Sequence, residues 1–299
     1  MRDRAPIEVS VIIPVFDDAH RIGTCLTALH AQASPPGFEI VVVDNGSIDD
    51  IAGVVSKFPM ARLVQELTPG SYMARNTGVA AAAAHLLAFT DADCRPHADW
   101  LLRGVEAATA LGPEGVVAGD IELFVDGRPP GIGLPGVAAY ELATAFRQRY
   151  YVETLRFGPT ANLFVHRRTF EAVGGFDGSL RSGGDKDFGR RVVAAGRPLV
   201  FDARVRVAHP ARADVTDLER KVRRVVGGEH AAARGRRRQL GKDILRYMVL
   251  RPVKALAQVV GCARLTWRER VGAASIVPRV ALWQLHERAR LMRGGSPRR

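Results

Sequence analysis

Apolar blocks alternate with helical-period segments along most of the chain. Val9-Ser-Val-Ile-Ile-Pro-Val-Phe16 reads as a β-branched strand. Residues 18–31 carry Ile22, Leu26 and Leu29 at helical spacing and stop at Ser34-Pro-Pro-Gly37. Glu39-Ile-Val-Val-Val-Asp44 is a second buried strand, ending in the turn signal Asp44-Asn-Gly-Ser47. Ala74–Ala84 is a strong helix former that leads into Leu86-Leu-Ala-Phe89, a strand apolar on both faces that ends at Asp91 and Asp93. This alternation predicts a parallel sheet with right-handed crossovers.

Beyond it, the pattern predicts a helix over 96–111, with Trp100, Leu101 and Val105 inward, and a strand over 116–124. A Gly/Pro-rich loop follows over 127–137, then a helix over 138–151 and a strand over 158–165 that enters a helix near Arg168. Gly183 and Gly184 precede a helix whose first turn holds Asp185 and Asp187, where acids favour the helix dipole. Residues 199–209 form a last strand ending at His209.

Charge divides the chain unevenly. Residues 1–199 hold 19 Lys/Arg against 23 Asp/Glu, a balance of −4, whereas residues 200–299 hold 24 against 8, a balance of +16. A partner sought by basic charge therefore concerns the C-terminal third. Three scattered cysteines, Cys25, Cys94 and Cys262, form neither a disulfide framework nor a zinc pattern. Without an apolar leader, or a run near the about 20 apolar residues of a membrane-spanning helix, the protein is expected to be cytoplasmic.

The candidate chemistry sits at strand ends, where ligands bind in an open α/β sheet. Asp91 and Asp93, one residue apart in extended chain, are expected to face one ligand and to suit Mg2+ or Mn2+ held jointly with phosphate oxygens. Asp44 is placed either to accept hydrogen bonds from a ribose or base, or to shape its own turn. Arg75 has a guanidinium suited to a diphosphate or nucleobase. Neither G-x-G-x-x-G nor G-x-x-x-x-G-K-[ST] occurs, which argues against a dinucleotide cofactor and a P-loop NTPase.

Taken in order, the strand ending Asp44-Asn-Gly-Ser, Ala-Arg75-Asn-x-Gly, Asp91-Ala-Asp93, Gly-Gly-Phe-Asp177, Gly-Gly-Asp185-x-Asp187 and Val-x-His209 resemble a family-2 glycosyltransferase over residues 8–212. The resemblance implies a GT-A fold, a mostly parallel Rossmann-like sheet flanked by helices. It also implies an inverting, metal-dependent transfer of a sugar from a nucleotide-diphosphate donor to an acceptor hydroxyl. By the same resemblance, Pro14, Val15, Phe16 and Asp44 hold the nucleoside, with Arg75 beside it. Asp91 touches ribose or metal, Asp93 and His209 hold the metal, and Asn162 lies near donor sugar and acceptor. Asp185 matches the base that takes the acceptor proton. Family members often carry Glu-Asp where this chain has Gly184-Asp185, which leaves Asp187 as the alternative base.

Residues 1–212 are thus expected to form the catalytic domain, and 213–299 a basic helical extension. Arg220–Arg224, Arg234–Arg238 and Lys242–Lys254 mix with apolar stretches at 255–265 and 271–285. This suits either an anionic membrane surface, in keeping with lipid-linked acceptors and glycan, polysaccharide or glycolipid assembly in the cell envelope, or helices packed on the rest of the protein. Aromatic interleaving of the kind that reads nucleic acid is absent. Two other functions stay open at this point: nucleotidyl transfer, and a non-catalytic scaffold that binds nucleotide sugars and docks on a membrane.

Overall fold

The computed structural model describes residues 7–126, 133–232 and 245–296. Part of the Gly/Pro-rich loop (127–132), the Arg234–Arg238 run and Lys242 lie outside the described residues. The chain falls into two compact units. The first is drawn from Met1–Glu122, Arg147–Leu180 and Gly184–His209, the second from Leu123–Phe146, Arg181–Gly183 and Pro210–Arg299.

The strands are β1 (Val9–Val15), β2 (Phe38–Asp44), β3 (Ala61–Gln65), β4 (Leu86–Thr90), β5 (Arg95–Pro96), β6 (Val116–Phe124), β7 (Asn162–His166) and β8 (Leu199–Pro210). They form one sheet in the order β3-β2-β1-β4-β7-β6-β8-β5. The first four are mutually parallel, as the alternation predicts. Their crossovers carry α1 (Ala19–His30), α2 (Ile51–Val55) and α3 (Ser71–Ala81). At β7 the sheet changes sense: β7 runs antiparallel to both β4 and β6.

α3 lies close on the sheet because Gly78 has no side chain; a Cβ there would sit 2.5 Å from Ile12 Cγ2 and 3.0 Å from Val43 Cγ2. On the same side, Phe89, Phe170, Phe176 and Phe188 pack ring to ring with centroids 4.9–5.9 Å apart. Full burial of each such side chain contributes about 1.5–3 kcal/mol. The remaining helices of the first unit are α4 (Trp100–Leu111), α6 (Gln148–Glu153), α7 (Arg167–Ala172) and α8 (Gly184–Ala194). Trp100 is fully buried, in keeping with its inward placement.

Three elements escape the hydrophobic pattern. α2 is one turn long, β3 is half-exposed and β5 has two residues, so none carries a full period. The helix expected over 138–151 is instead two, α5 (Gly136–Thr144) and α6, with the break marked by Phe146 at φ +47°.

The second unit is helical. It contains α5, α9 (Val215–Ala232), a π-helical turn (Arg246–Leu250), α10 (Arg251–Val260) and α11 (Trp267–Met292). Val137 of α5 meets Leu218 and Val222 of α9 and Ile276 and Val280 of α11. Ala139 packs with Val259 of α10 and Ala273 of α11. Buried Glu141 accepts from Lys221 Nζ at 2.6 Å and Arg212 Nη1 at 3.0 Å. Among the described residues no helix is long and apolar enough to cross a membrane.

Candidate active site

Asp91 and Asp93 follow β4, but not in extended chain. The backbone turns there, closed by Cys94 N–H donating to Asp91 O at 3.0 Å, so strand alternation does not aim the two carboxylates together. Asp91 instead pairs with Arg75 Nη2. Asp93 Oδ1 lies 3.6 Å from His209 Nε2, and its Oδ2 lies 3.8 Å from Arg21 Nη1.

The short strand β5 explains why His209, more than a hundred residues away in sequence, arrives here. β5 and β8 run antiparallel with Arg95 opposite Ala208 and Pro96 opposite Val207. One step further along the ladder, Cys94 falls opposite His209. Asp93, Cys94 and His209 each bring one ligand atom within 4.8 Å of the others. Burial, with the charge of Asp91 adding to it, pushes the Asp93 carboxyl above the usual carboxylate range against the opposing pull of His209 and Arg21. Burial likewise raises the Cys94 thiol far above its ordinary value, so it stays a protonated, poor ligand. A hard divalent cation fits the rest of this donor set, a carboxylate oxygen and an imidazole nitrogen, and would offset the cost of the buried carboxylate.

α3 supplies the next two groups. Arg75, largely buried, donates Nη1 to Ser71 O at 3.1 Å as well as pairing with Asp91. Its Nε is buried without a hydrogen-bond partner among the described residues. The guanidinium stands 5.7 Å from the centre of the Tyr72 ring. Tyr72 Oη in turn donates to Asp185 Oδ1 at 3.3 Å, which links the acid pair to the first turn of α8. Gly184 makes this contact possible, since a Cβ there would lie 2.7 Å from the Tyr72 ring. The departure from Glu-Asp is therefore matched by a tyrosine occupying the space beside it.

Asp187 has other work. Its Oδ2 accepts from Arg191 Nε at 2.9 Å and Nη2 at 2.7 Å, and the same guanidinium donates to Val173 O and Gly175 O. It thereby ties α8 to the Gly174-Gly175 turn, whose residues stand at φ +82° and +64°. Asn76 holds the next residue from both sides, donating to Phe176 O at 2.8 Å and accepting from Phe176 N at 3.1 Å. The Gly-Gly-Phe-Asp motif thus anchors the helix that carries Asp185.

At the ends of β1 and β2, Val15 is buried, Pro14 half-buried and Phe16 exposed. Asp44 Oδ1 accepts from Ser47 N at 2.9 Å, shaping its own turn. Asp17 and Ser47 cross-link the two loops: Asp17 N donates to Ser47 Oγ at 3.0 Å, and Ile48 N to Asp17 Oδ1 at 2.8 Å. Asn162 faces inward: Nδ2 donates to Asp120 O at 2.8 Å and Val205 O at 2.9 Å, and Oδ1 accepts from Trp100 Nε1 at 2.9 Å. The structure therefore brings Arg75, Asp91, Asp93, His209 and Asp185 into one linked cluster, and keeps the side chain of Asn162 in the interior.

Sequence reasoning passed over Tyr72 and Arg21. Arg21 had a local signal, lying three residues after Asp18, to which its Nε donates at 2.7 Å. Tyr72 had none, because its partner Asp185 is 113 residues away.

A sheet of this order, with Asp91 and Asp93 after β4 and His209 returned beside Asp93, is that of a GT-A fold. Residues 10–171 match the profile of glycosyl transferase family 2, and the chain belongs to that family. The glycosyltransferase AglE of Haloferax volcanii is 38% identical over 212 residues, which cover 68% of this chain and 67% of that protein. The pre-mycofactocin glycosyltransferase of Mycobacterium tuberculosis is 31% identical over 226 residues, 70% of this chain but 44% of that protein. Among solved structures, the mannosyltransferase PcManGT of Pyrobaculum calidifontis, in complex with GDP-Man and Mn2+, aligns over 97% of this chain and 90% of its own with a TM-score of 0.61. At 18% identity that likeness concerns the fold alone. Family membership favours the first of the functions left open by the sequence: the protein is a family-2 glycosyltransferase.

Proposed function

We propose that the protein is an inverting, metal-dependent glycosyltransferase that passes a sugar from a nucleoside-diphosphate donor to an acceptor hydroxyl, with Asp185 as the base. The observation that carries this reading is the chain of contacts from Asp185 through Tyr72 and Arg75 to Asp91, beside the Asp93–His209 pair. Inversion requires the acceptor oxygen to attack the anomeric carbon opposite the leaving diphosphate. The acceptor must lose its proton as it attacks, and a carboxylate within hydrogen-bond reach removes it. Asp185 rather than Asp187 suits that role, because Asp187 is engaged by Arg191 through both Nε and Nη2. Tyr72 acts as a positioning residue that orients the Asp185 carboxylate.

At the other end of the reaction, Pro14, Val15, Phe16 and Asp44 border the nucleoside, with Arg75 beside it. Asp91 holds Arg75 in place and faces ribose or metal, while Asn162 supports the site through Trp100 and β8. Asp93 and His209 would hold the cation, and Mn2+ fits them better than Mg2+ because an imidazole nitrogen is a softer donor. That ion, when bound, supplies charge stabilisation to the leaving diphosphate. The donor of PcManGT, GDP-Man, makes GDP the first nucleotide to try. The acceptor is a sugar or lipid-linked sugar of glycan assembly, met at the inner face of the membrane.

A thermal-shift panel of UDP, GDP, dTDP and CDP, each with and without Mn2+, tests the donor side without needing an acceptor. A ligand at a hundred times its Kd adds about 2.7 kcal/mol of stability. One nucleotide should raise Tm clearly and only with metal, and Asp93→Ala should abolish that shift. Absence of a shift with every nucleotide would overturn the reading.

A further inference from the structure

The second unit turns an apolar face outward. Nine of the sixteen large apolar side chains exposed among the described residues fall between Leu245 and Val271. Val249, Val253, Leu256 and Val260 recur at intervals of four, three and four residues, which makes a single stripe along the π-helical turn and α10. Their exposures run from 39% to 65%, and Trp267 and Val271, one turn apart at the start of α11, are 69% and 62% exposed.

The stripe is held rigidly. Val259, about a quarter-turn round α10 from the stripe, is fully buried against Leu265 and Ala273. Glu229 of α9 accepts from Tyr247 Oη at 3.0 Å and Arg251 Nη2 at 2.5 Å, which fixes the start of the helix. α10 is thus docked by one side and presents the stripe to solvent.

Charge identifies the occupant. Residues 245–271 contain six basic residues and one acid, Glu269. That acid is turned to structural use: it closes the capping box with Thr266 and accepts from Leu134 N at 2.8 Å. Lys254, Arg264 and Arg268 are exposed. Arg268 lies 5.4 Å from the centre of the exposed Trp267 ring, an apolar plate with a cation beside it. A second copy of the chain would bring a like basic field against this one, and the phosphates of nucleic acid would gain nothing from the apolar stripe. Apolar side chains edged by lysine and arginine, with an interfacial tryptophan, match the boundary between anionic headgroups and acyl chains. α10, ten residues and thus about 15 Å long, is suited to lie in that plane rather than span it.

We infer that the face formed by Val249, Val253, Leu256, Val260, Trp267 and Val271 docks the protein on an anionic lipid bilayer, with α10 lying in the interface. This deepens the membrane-surface part of the proposed function and is independent of its chemistry.

The test is co-flotation of the full chain with vesicles of phosphatidylcholine alone or mixed equally with phosphatidylglycerol. Binding is expected to the mixed vesicles only, with a blue shift of tryptophan fluorescence that is lost in Trp267→Phe. The triple variant V253S/L256S/V260S, which removes the apolar stripe without changing charge, should keep its Tm and its nucleotide response and bind about tenfold or more weakly. Mixed-vesicle binding unchanged in the triple variant would overturn the inference in favour of charge attraction alone. Failure of the wild-type protein to bind mixed vesicles would also overturn it, and a dimer that the triple variant dissociates would show the face to be a self-association surface. The nucleotide response of the same preparations separates either failure from failure of the catalytic reading.

Discussion

Asp185 and Asp187 stand two residues apart in the first turn of one helix, and their neighbours divide the labour between them. Asp187 is half-exposed and forms an i,i+4 pair with Arg191, an arrangement that contributes no more than about 1 kcal/mol. Asp185 takes a tyrosine hydroxyl from α3 and the N–H of Lys186 at 2.8 Å. Asp185→Asn should therefore lower kcat by about a hundredfold to ten-thousandfold with donor binding retained. Asp187→Asn should lower Tm slightly and leave kcat within a few fold. Steady-state kinetics with a competent acceptor, beside nucleotide thermal shifts, would read both. The opposite ranking would make Asp187 the base.

Among the secondary elements, α5 and α11 of the second unit cross at close range. Gly136 and Gly272 let the two backbones touch, since a Cβ on Gly136 would stand 2.7 Å from Gly272 O. No rotamer relieves a clash between a Cβ and a backbone oxygen, so one of the helices must move. Gly136→Val should destabilise the protein by about 1–3 kcal/mol, seen as a lower urea midpoint. Gly112 makes a useful contrast. It stands at φ +86° after α4 with nothing within 4 Å of its would-be Cβ, so Gly112→Ala meets backbone strain alone. With ψ 173° this is a region open essentially to glycine alone, and the cost is about 1–3 kcal/mol.

For the whole molecule, the balance of charge sets the response to acid. The residues from 200 onward carry 24 bases and 8 acids, and the acids that lie inside the helical unit hold its basic helices together. Glu141 is the clearest case. Burial would raise its carboxyl, but Lys221 and Arg212 outweigh burial and hold it below its ordinary 4.5. A folded-state value below the unfolded one stabilises the protein above pH 4.5, and that contribution is lost as pH falls through the folded value. Glu141→Gln leaves two partly buried cations without a counter-charge and should cost about 2–3 kcal/mol at neutral pH. Urea unfolding from pH 7 to pH 3.5 should show a shallower acid loss in the variant than in the wild-type protein. An equal loss in both would place the acid sensitivity elsewhere.

Much of this molecule was legible before any coordinates. Runs such as Val9–Phe16 and Leu86–Phe89 are apolar on both faces, and only a strand covered on both sides buries them, so the parallel half of the sheet follows from the pattern itself. The ordered motifs through His209 marked the family for the same local reason: each is a short stretch whose residue types suit a strand end or a turn. What remained hidden depended on distant partners. β5 is two residues long, and only its pairing with β8 sets His209 against Asp93. The turn at Asp91–Cys94, which sends the two carboxylates to different partners, is invisible to an argument from alternation. Tyr72 gains its role from Gly184, and the side chain of Asn162 is taken up by Trp100 and two carbonyls. The outward stripe of α10 was also beyond reach, because periodicity shows that a helix has an apolar side but not whether that side is covered. Local residue type decides which segments become strand, helix or turn. Burial, and the partner each charge meets, depend on contacts between distant parts of the chain, and only the folded structure supplies those.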